Sequence, residues 1–468
     1  MRSTKIVCTL GPACATQEKM EEMLRAGMNV ARMNFSHGDH AMHIENLTNF
    51  RRAREALGVP AAVLLDTRGP EIRTLPMEQE LPVSAGEEIV LAPETAELLP
   101  HMVAITYPRL AACVRPGNRV LIDDGKIALR VERCEGALVH TVVENGGTIR
   151  GYKGINLPGV AVDLPFLSEK DKADLRFAAE HDIDYIAASF TRTAQDLRQM
   201  RAYLDVIGAE DIRIIAKIEN RQGIANFDEI LEEADGIMVA RGDMGVEVDY
   251  ERLPGIQKNM ITRCRLAGKP TITATQMLDS MIVNPRPTRA EVSDVANAVF
   301  DGTSAVMLSA ETAAGKYPVE SIEVMAKIVT RAEQDMPEGL LDTVRDRSDV
   351  SVALCDAACT TARDLGAVAL LAVTRGGVTA RDMSAFRPRI PILALTPEEK
   401  TYQQLALSHG VVPLRTQLQN DSDELFAHVL QVALESGYVK HGDRVVITAG
   451  LPIGESGSTN VIKVQTVE

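Results

Sequence analysis

The sequence has no apolar run long enough to cross a bilayer: the longest stretch, around Leu365 to Val373, falls well short of the roughly 20 residues that a membrane helix needs. It also lacks a segment of signal-peptide character, because Met1-Arg2-Ser3-Thr4-Lys5-Ile6-Val7 leads directly into a strand-like run, so a cytoplasmic location is expected. The seven cysteines (Cys8, Cys14, Cys113, Cys134, Cys264, Cys355, Cys359) include no C-x-x-C pair and have no accompanying histidine cluster, which predicts reduced thiols and no zinc. A basic excess is missing too. With 50 Lys and Arg against 65 Asp and Glu, the formal net charge is −15, and the basic stripe that nucleic acid or an anionic membrane requires is absent. An anionic substrate must therefore meet a local cluster of Lys and Arg. Repeats of solenoid period and low-complexity tracts are also lacking.

What is present is length and alternation. At 468 residues the chain exceeds what one hydrophobic core usually organises, so two to four domains are expected. Short apolar or β-branched runs recur at Lys5–Leu10, Asn29–Asn34, Ala61–Asp66, Asp184–Phe190, Arg213–Glu219, Gly236–Arg241, Pro270–Thr275 and Ser304–Leu308, nearly all followed by a helical pattern. Eight strand-then-helix units predict an α/β fold built on a closed (β/α)₈ TIM barrel. Between the third and fourth runs lie more than a hundred residues with turns such as Arg115-Pro116-Gly117-Asn118 and Asp123-Asp124-Gly125. This insert, residues 68–167, reads as a small β-barrel domain hanging over the carboxyl-terminal mouth of a barrel made from residues 1–67 and 168–338. Residues 339–468 resume the alternation, with apolar runs at Val368–Val373, Ile392–Leu395, Val411–Leu414 and Val445–Ile447, and read as a separate α/β domain.

An enzyme barrel needs convergent charge at the carboxyl ends of its strands. Here the second strand ends in Arg32 and Asn34 with Ser36 and His37 behind them, the third in Asp66, the fourth in Ser189, the fifth in Lys217 and Glu219, the sixth in Arg241 and Asp243, and the seventh in Thr275. Lys217 and Glu219 stand two apart, so both face one side of their strand, either as a structural ion pair or as part of a site. Glu219 with Asp243 offers an oxygen-only set suited to Mg²⁺ (or Mn²⁺) completed by water and substrate. Lys217, Arg32 and such a cation supply the positive charge that phosphoryl transfer needs on its equatorial oxygens. Asp66-Thr67-Arg68-Gly69-Pro70-Glu71-Ile72-Arg73 reads as a hinge into the insert, with Thr67 and Arg73 facing the cleft. In the last domain, Thr374, Arg375, Gly376, Gly377 and Thr379 follow a strand and open a helix, an arrangement that can cradle a phosphate, with Ala449 to Thr459 facing it as a flexible lid. Cys355 and Cys359 read as core thiols. His40 and His43 read as helix-surface residues, leaving His37 as a nucleotide contact.

These residues are embedded in a series of motifs. Thr4-Lys5-Ile6-Val7-Cys8-Thr9-Leu10-Gly11-Pro12, Asn34-Phe35-Ser36-His37-Gly38, Gly69 to Arg73, Ile214 to Asn220, Met238 to Asp243, Thr273 to Met281 and Asn284 to Glu291 strongly resemble, in order and spacing, those of the pyruvate kinases. The resemblance covers nearly the whole chain. It implies phosphoenolpyruvate and ADP as substrates, pyruvate and ATP as products, and a homotetramer. It implies that Lys217 stabilises the transferring group and the enolate, that Glu219 and Asp243 hold Mg²⁺, and that Arg32 and Arg73 contact phosphates. It further implies that Thr275 positions a protonating group, and that the backbone of Ala240, Arg241, Gly242 and Asp243 cradles the pyruvate carboxylate, with Ser189 also at the substrate. Asn34, His37, Arg73 and Lys153 are the implied nucleotide contacts. Asn34, Ser36, Asp66 and Thr67 match the family's K⁺ positions, and Glu71 agrees, because members that dispense with K⁺ carry a lysine there. Members activated by fructose 1,6-bisphosphate often have Lys or Arg where this chain has Val378, so an effector with one phosphate is equally compatible. Two readings compete: a Mg²⁺-dependent pyruvate or phosphoenolpyruvate aldolase or mutase, and a catalytically silent regulatory relative. The first accounts poorly for the insert and the last domain, the second for the retained Lys217 and carboxylates.

Overall fold

The computed structural model describes residues 2–96, 99–160, 162–337, 339–341, 345–419, 421–453 and 459–468. Each of the eight predicted runs forms a strand: Lys5–Thr9, Val30–Asn34, Ala62–Asp66, Tyr185–Ala188, Arg213–Ile218, Gly236–Ala240, Thr271–Ala274 and Ala305–Leu308. They pair in parallel, each with its sequence neighbours in this series and the last with the first, closing a barrel. Strand alternation sorts the apolar side chains. Val7, Leu64, Ile215, Met238 and Met307 fill the lumen, whereas the adjacent Ile6, Leu65, Ile214, Ile237 and Val306 pack outward under the helices. Lys217, two residues after Ile215, shares its inward parity.

Several strands stop earlier than their sequence patterns suggest, and Ser189, Glu219 and Thr275 sit just past the stops, whereas Arg32, Asn34, Asp66 and Lys217 lie within their strands. Phe190 has φ +54°, Thr275 +69° and Gln276 +54°, so the chain leaves the ladder as soon as Ser189 and Thr275 have been presented. After Ala240 the chain turns at once into the helix Arg241–Glu247.

The insert forms a seven-stranded sheet. Its two edge strands, Ile72–Arg73 and Met102–Ile105, are brought together by a bridge from Thr74 to Ile105, with Leu75 N donating to Ala104 O at 2.8 Å and Thr106 N to Arg73 O at 2.9 Å, so the sheet curls round its own apolar core. Its return is fixed by Asp171 in the helix Glu169–Glu180, whose carboxylate accepts from Ser168 N, Ser168 Oγ and, across the entry point, Gly69 N at 3.1 Å. Gly69 has φ +71°, and a Cβ there would lie 2.8 Å from Ser189 O, so this turn admits only glycine without distortion.

The C-terminal domain is a five-stranded sheet in which the four anticipated runs (Ala369–Val373, Ile392–Thr396, Val411–Arg415, Arg444–Gly450) are joined by a strand the sequence reading missed, Thr459–Thr466, antiparallel to Arg444–Gly450. Part of the anticipated lid, residues 454–458, lies outside the described residues. The seven cysteines are free, with Cys355 buried in the core and Cys359 half-buried. Among the described residues no helix is long and apolar enough to cross a membrane.

Two expectations are corrected. His43 is not a surface residue: it is buried, stacked on Phe35 at 4.0 Å, and bonded through Nε2 to His37 O at 3.0 Å. Thr67 does not face the cleft but is buried, its hydroxyl donating to Ala187 O at 3.2 Å and accepting from Ser189 N.

Candidate functional site

Lys217 is the centre of the site. Its ammonium reaches Ser189 Oγ at 2.7 Å, Asp66 Oδ1 at 2.9 Å and Glu219 Oε1 at 3.0 Å, so three strands meet on its three protons. Burial by itself lowers the lysine's pKa, but Asp66 and Glu219 outweigh it and raise the group above its ordinary value. It stays charged. Asp66 is shared: Arg32 Nε donates to its other oxygen at 2.7 Å, and Arg32 Nη1 donates to Thr9 Oγ1 at 2.9 Å. Burial opposes ionisation of Asp66, yet Lys217 and Arg32 together hold its carboxyl below the usual range. Ser189 has one proton and two acceptors in reach, Asp66 Oδ1 at 3.0 Å and Thr67 O at 2.6 Å, of which the nearer receives it.

Glu219 and Asp243 come from neighbouring strand ends and disturb each other. Burial pushes the Glu219 carboxyl up to about 7 against the pull of Lys217, and Asp243 adds to the rise. Asp243 is likewise raised, first by burial. Two carboxylates whose ionisation burial opposes, Glu219 further raised by Asp243 and Asp243 by Asp124 and Glu71, fit a hard divalent cation, which would favour the charged form of both. Among the described residues no group of three or more His, Cys, Asp and Glu forms a metal cage, so such a cation would take its remaining ligands from water and substrate.

Thr275 sits on the two-residue left-handed turn already noted. Its hydroxyl donates to Ala274 O at 2.6 Å and accepts from Gly242 N at 2.7 Å, which leaves one lone pair. The Gly242 N–H is thus engaged within the protein. The Arg241 side chain turns away to Asp294 at 2.7 Å and also donates to Thr275 O at 2.7 Å, holding the turn.

Between the mouth and the insert lies a cavity of about 540 Å³ that brings together Glu219 and Asp243 from the barrel, His37 from the second strand's loop, and Arg73 and Lys153 from the insert. Arg73 is braced by Glu71 at 2.5 Å and Tyr152 O at 2.8 Å, and Lys153 by Asp123 at 3.0 Å. Burial, then the charges of Arg73, Arg32 and Lys153, lower the His37 pKa, so it meets a ligand as a neutral ring. The same wall holds Asp123, Asp124, Tyr152, Asn156 and Arg221, which the sequence reading passed over. Asp123 and Asp124 had been seen only as a turn, and both do adopt positive φ. At the candidate K⁺ position, Asn34 and Asp66 are register partners on adjacent strands, Asn34 Oδ1 accepts from Ser36 N at 3.1 Å, and Thr67 follows, an oxygen-only group.

The phosphate-cradle segment of the last domain has its turn as expected: Gly377 at φ +79° opens the helix Val378–Ala385. Its polar groups have protein partners, with Thr374 Oγ1 accepting from Gly377 N at 3.0 Å, Thr379 Oγ1 and Thr459 Oγ1 2.6 Å apart, and Arg375 paired with Glu398 at 2.7 Å.

Comparison with known proteins agrees with this geometry. The family model described as "Pyruvate kinase, barrel domain" matches residues 1–322, and "Pyruvate kinase, alpha/beta domain" matches residues 352–465. A pyruvate kinase of Geobacillus stearothermophilus is 48% identical over 473 residues, covering 100% of this chain and 80% of that protein. One of Clostridium acetobutylicum is 46% identical over 480 residues, covering 100% of both. One of Staphylococcus aureus is 45% identical over 473 residues, covering 100% of this chain and 81% of that protein. The chain belongs to the pyruvate kinase family and is an enzyme, a phosphotransferase of that family's activity.

Proposed function

We propose that the chain transfers the phosphoryl group of phosphoenolpyruvate to ADP, giving pyruvate and ATP, at the mouth of the barrel under the inserted domain. The observation that carries this reading is the buried Lys217 ammonium, kept charged by Asp66 and Glu219 beside two carboxylates of raised pKa.

The reaction asks for positive charge where the phosphoryl oxygens pass and where the enolate forms. Lys217 meets the first need and stabilises the enolate oxygen afterwards. Arg32 and Arg73 orient phosphates from the second strand and the insert, each held in place by a carboxylate. Glu219 and Asp243 hold Mg²⁺ (or Mn²⁺), which supplies Lewis-acid neutralisation of the substrate anions. Asn34, Ser36, Asp66 and Thr67 hold K⁺. The enolate must then gain a proton at carbon. The free lone pair of Thr275 Oγ1 orients a water for that step, and the turn clamped by Arg241 fixes where the water stands. Backbone groups from Ala240 to Asp243, with Ser189 near, receive the carboxylate. Asn34, His37, Arg73 and Lys153 contact the nucleotide, and the insert, pivoting at Gly69, excludes water as it closes.

The C-terminal domain is read as regulatory, with a phosphorylated effector at Thr374–Thr379, the enzyme as a cytoplasmic homotetramer. Val378 is exposed and offers no charge, so a sugar monophosphate or a nucleotide is as acceptable there as a bisphosphate. The reading is tested by following pyruvate and ATP from phosphoenolpyruvate and ADP with and without Mg²⁺, then titrating mono- and bisphosphorylated effectors against phosphoenolpyruvate saturation. No ATP formation defeats the catalytic reading. No response to any effector defeats the regulatory one.

A further inference from the structure

At the opposite end of the barrel from the mouth, a cavity of about 880 Å³ separates the helix Pro318–Asp335 from the C-terminal domain. Its wall carries Arg347, Arg363, Arg387 and Arg389 against Glu333 and Asp356. The acids have partners of their own: Glu333 accepts from Ser3 N at 2.9 Å and Thr4 N at 2.6 Å, and Asp356 pairs within the wall with Arg347 at 2.8 Å. Arg363 is paired with Asp364.

Arg387 and Arg389, on either side of Pro388, have only neutral partners among the described residues. Arg387 donates to Ser384 O at 3.3 Å, Gly302 O at 2.8 Å and Ser304 Oγ at 3.0 Å, and Arg389 donates to Met336 O at 3.0 Å. Arg387 Nε is shut off from solvent and has no partner, and the same holds for His409 Nδ1 in the same wall. The Glu333 carboxylate offsets part of the cost of burying the Arg387 guanidinium but makes no hydrogen bond to it among the described residues, and an N–H donor left unused in such a place forfeits a hydrogen bond. Burial, and then the nearby charge of Arg265, pull the Arg387 pKa down to about 9. Burial also keeps His409 neutral. Arg387 further adopts φ +52°, a conformation its three bonds to neighbouring oxygens must hold.

We propose that this cavity is a binding site for a small oxyanionic metabolite, a phosphate monoester or a carboxylate, gripped by Arg387 and Arg389, with its body against Phe386, Ile390 and Met336. The site shares no residue with the Thr374–Thr379 segment. A ligand here touches the last barrel helix and the C-terminal domain together and so stabilises their present arrangement.

The test is binding, so its failure leaves the phosphoryl-transfer reading intact. The full-length enzyme, with Mg²⁺ and oxalate saturating the active site, is titrated calorimetrically with glycerol 3-phosphate and, separately, with succinate. One of the two should bind, and which one does identifies the source of the oxyanion. Arg389→Gln, at an exposed position, and Arg387→Lys, which keeps the charge but loses the planar pair of Nη donors, should each weaken that binding by about 10- to 100-fold, the worth of a charge-assisted hydrogen bond. Thr374→Val should leave it unchanged. Binding of neither probe overturns the proposal, and so does binding that Thr374→Val abolishes while both arginine variants retain it.

Discussion

Replacing Lys217 by methionine separates two jobs that the geometry gives this residue. As an ion-pair member it lies 2.9 Å from Asp66 and 3.0 Å from Glu219, carboxylates that are each 1% exposed. Removing one partner of a buried pair costs roughly 3–5 kcal/mol when the remaining charge has no escape. Here both acids have one. Asp66 keeps Arg32 at 2.7 Å, and Glu219, already pushed up to about 7, takes a proton near neutrality. The expected loss is therefore about 2–3 kcal/mol, below that range, and a barrel of this size should lose on the order of 4–12 °C in thermal midpoint. As a preorganised cation on the transferring group, Lys217 is worth about 3–4 kcal/mol of barrier, so kcat should fall by at least roughly 100-fold. Both quantities are measured on the same preparation: the midpoint by circular dichroism, and kcat at 25 °C, below the midpoint, by coupled detection of pyruvate with phosphoenolpyruvate and ADP saturating. A variant that melts several degrees lower yet keeps kcat within threefold would refute the catalytic assignment and leave Lys217 as a structural ion pair only.

Glu71→Lys places an ammonium beside the proposed K⁺ group in exchange for the carboxylate that braces Arg73; initial rates with tetramethylammonium replacing K⁺ should then approach those in K⁺, and a variant still dependent on K⁺ would contradict the assignment. Gly69→Ala forces a Cβ to 2.8 Å from Ser189 O at φ +71°, a strain of about 1–3 kcal/mol, so kcat/KM for phosphoenolpyruvate should drop roughly tenfold, and an unchanged value would remove the hinge from the argument. His409 is buried and neutral, its pKa held far below the free value, so as pH falls through about 6.5 only the unfolded chain gains the proton. Stability from this residue is complete above that pH and declines by about 1.4 kcal/mol per unit below it. Thermal midpoints at pH 7.5 and 5.5 should converge in His409→Gln, and an equal acid loss in both proteins would count against the reading.

The barrel was legible because each of its strands is a short apolar run whose burial on both faces leaves no other periodicity to follow. The chemical residues were legible because they are polar side chains placed where an apolar run ends, as with Asp66 after Leu64-Leu65 and Lys217 within Ile214 to Ile218. Position along the strand was less secure. The runs at Ser189 and Thr275 continue in composition past the point where the backbone leaves the ladder, because positive φ at Phe190, Thr275 and Gln276 is imposed by partners such as Glu219 Oε2, which accepts from Phe190 N at 2.6 Å, and not by glycine. His43 was misread on its residue type: on the helix His40–Leu57 it stands three, four and seven positions before Asn46, Leu47 and Phe50 and so on the buried face, where the ring stacks on Phe35 and bonds to His37 O. The strand Thr459–Thr466 was missed because Lys463 and Gln465 interrupt its apolar content, although both are half-buried and Lys463 lies over the Phe426 ring at 4.3 Å.

The seat of the C-terminal domain on the barrel left almost no trace in the sequence. Gln404 donates to Asp184 O at 3.2 Å and Asp211 O at 2.8 Å, accepts from Arg213 Nε at 3.0 Å, and its own carbonyl accepts from Tyr185 Oη at 2.6 Å. Gln403 accepts from Ala61 N at 3.0 Å, and Lys5 Nζ donates to Val411 O at 2.7 Å. These contacts hold the starts of the first, third, fourth and fifth barrel strands, so residues 403–411 are tied to the same strands whose other ends carry Asp66, Ser189, Lys217 and Glu219. Amide side chains bonded to backbone atoms more than 190 positions away obey no helical or strand period and form no motif. A catalytic strand end is recognisable because its chemistry restricts which residues can stand there. A docking surface satisfied by backbone carbonyls restricts geometry alone, and only the folded chain displays it.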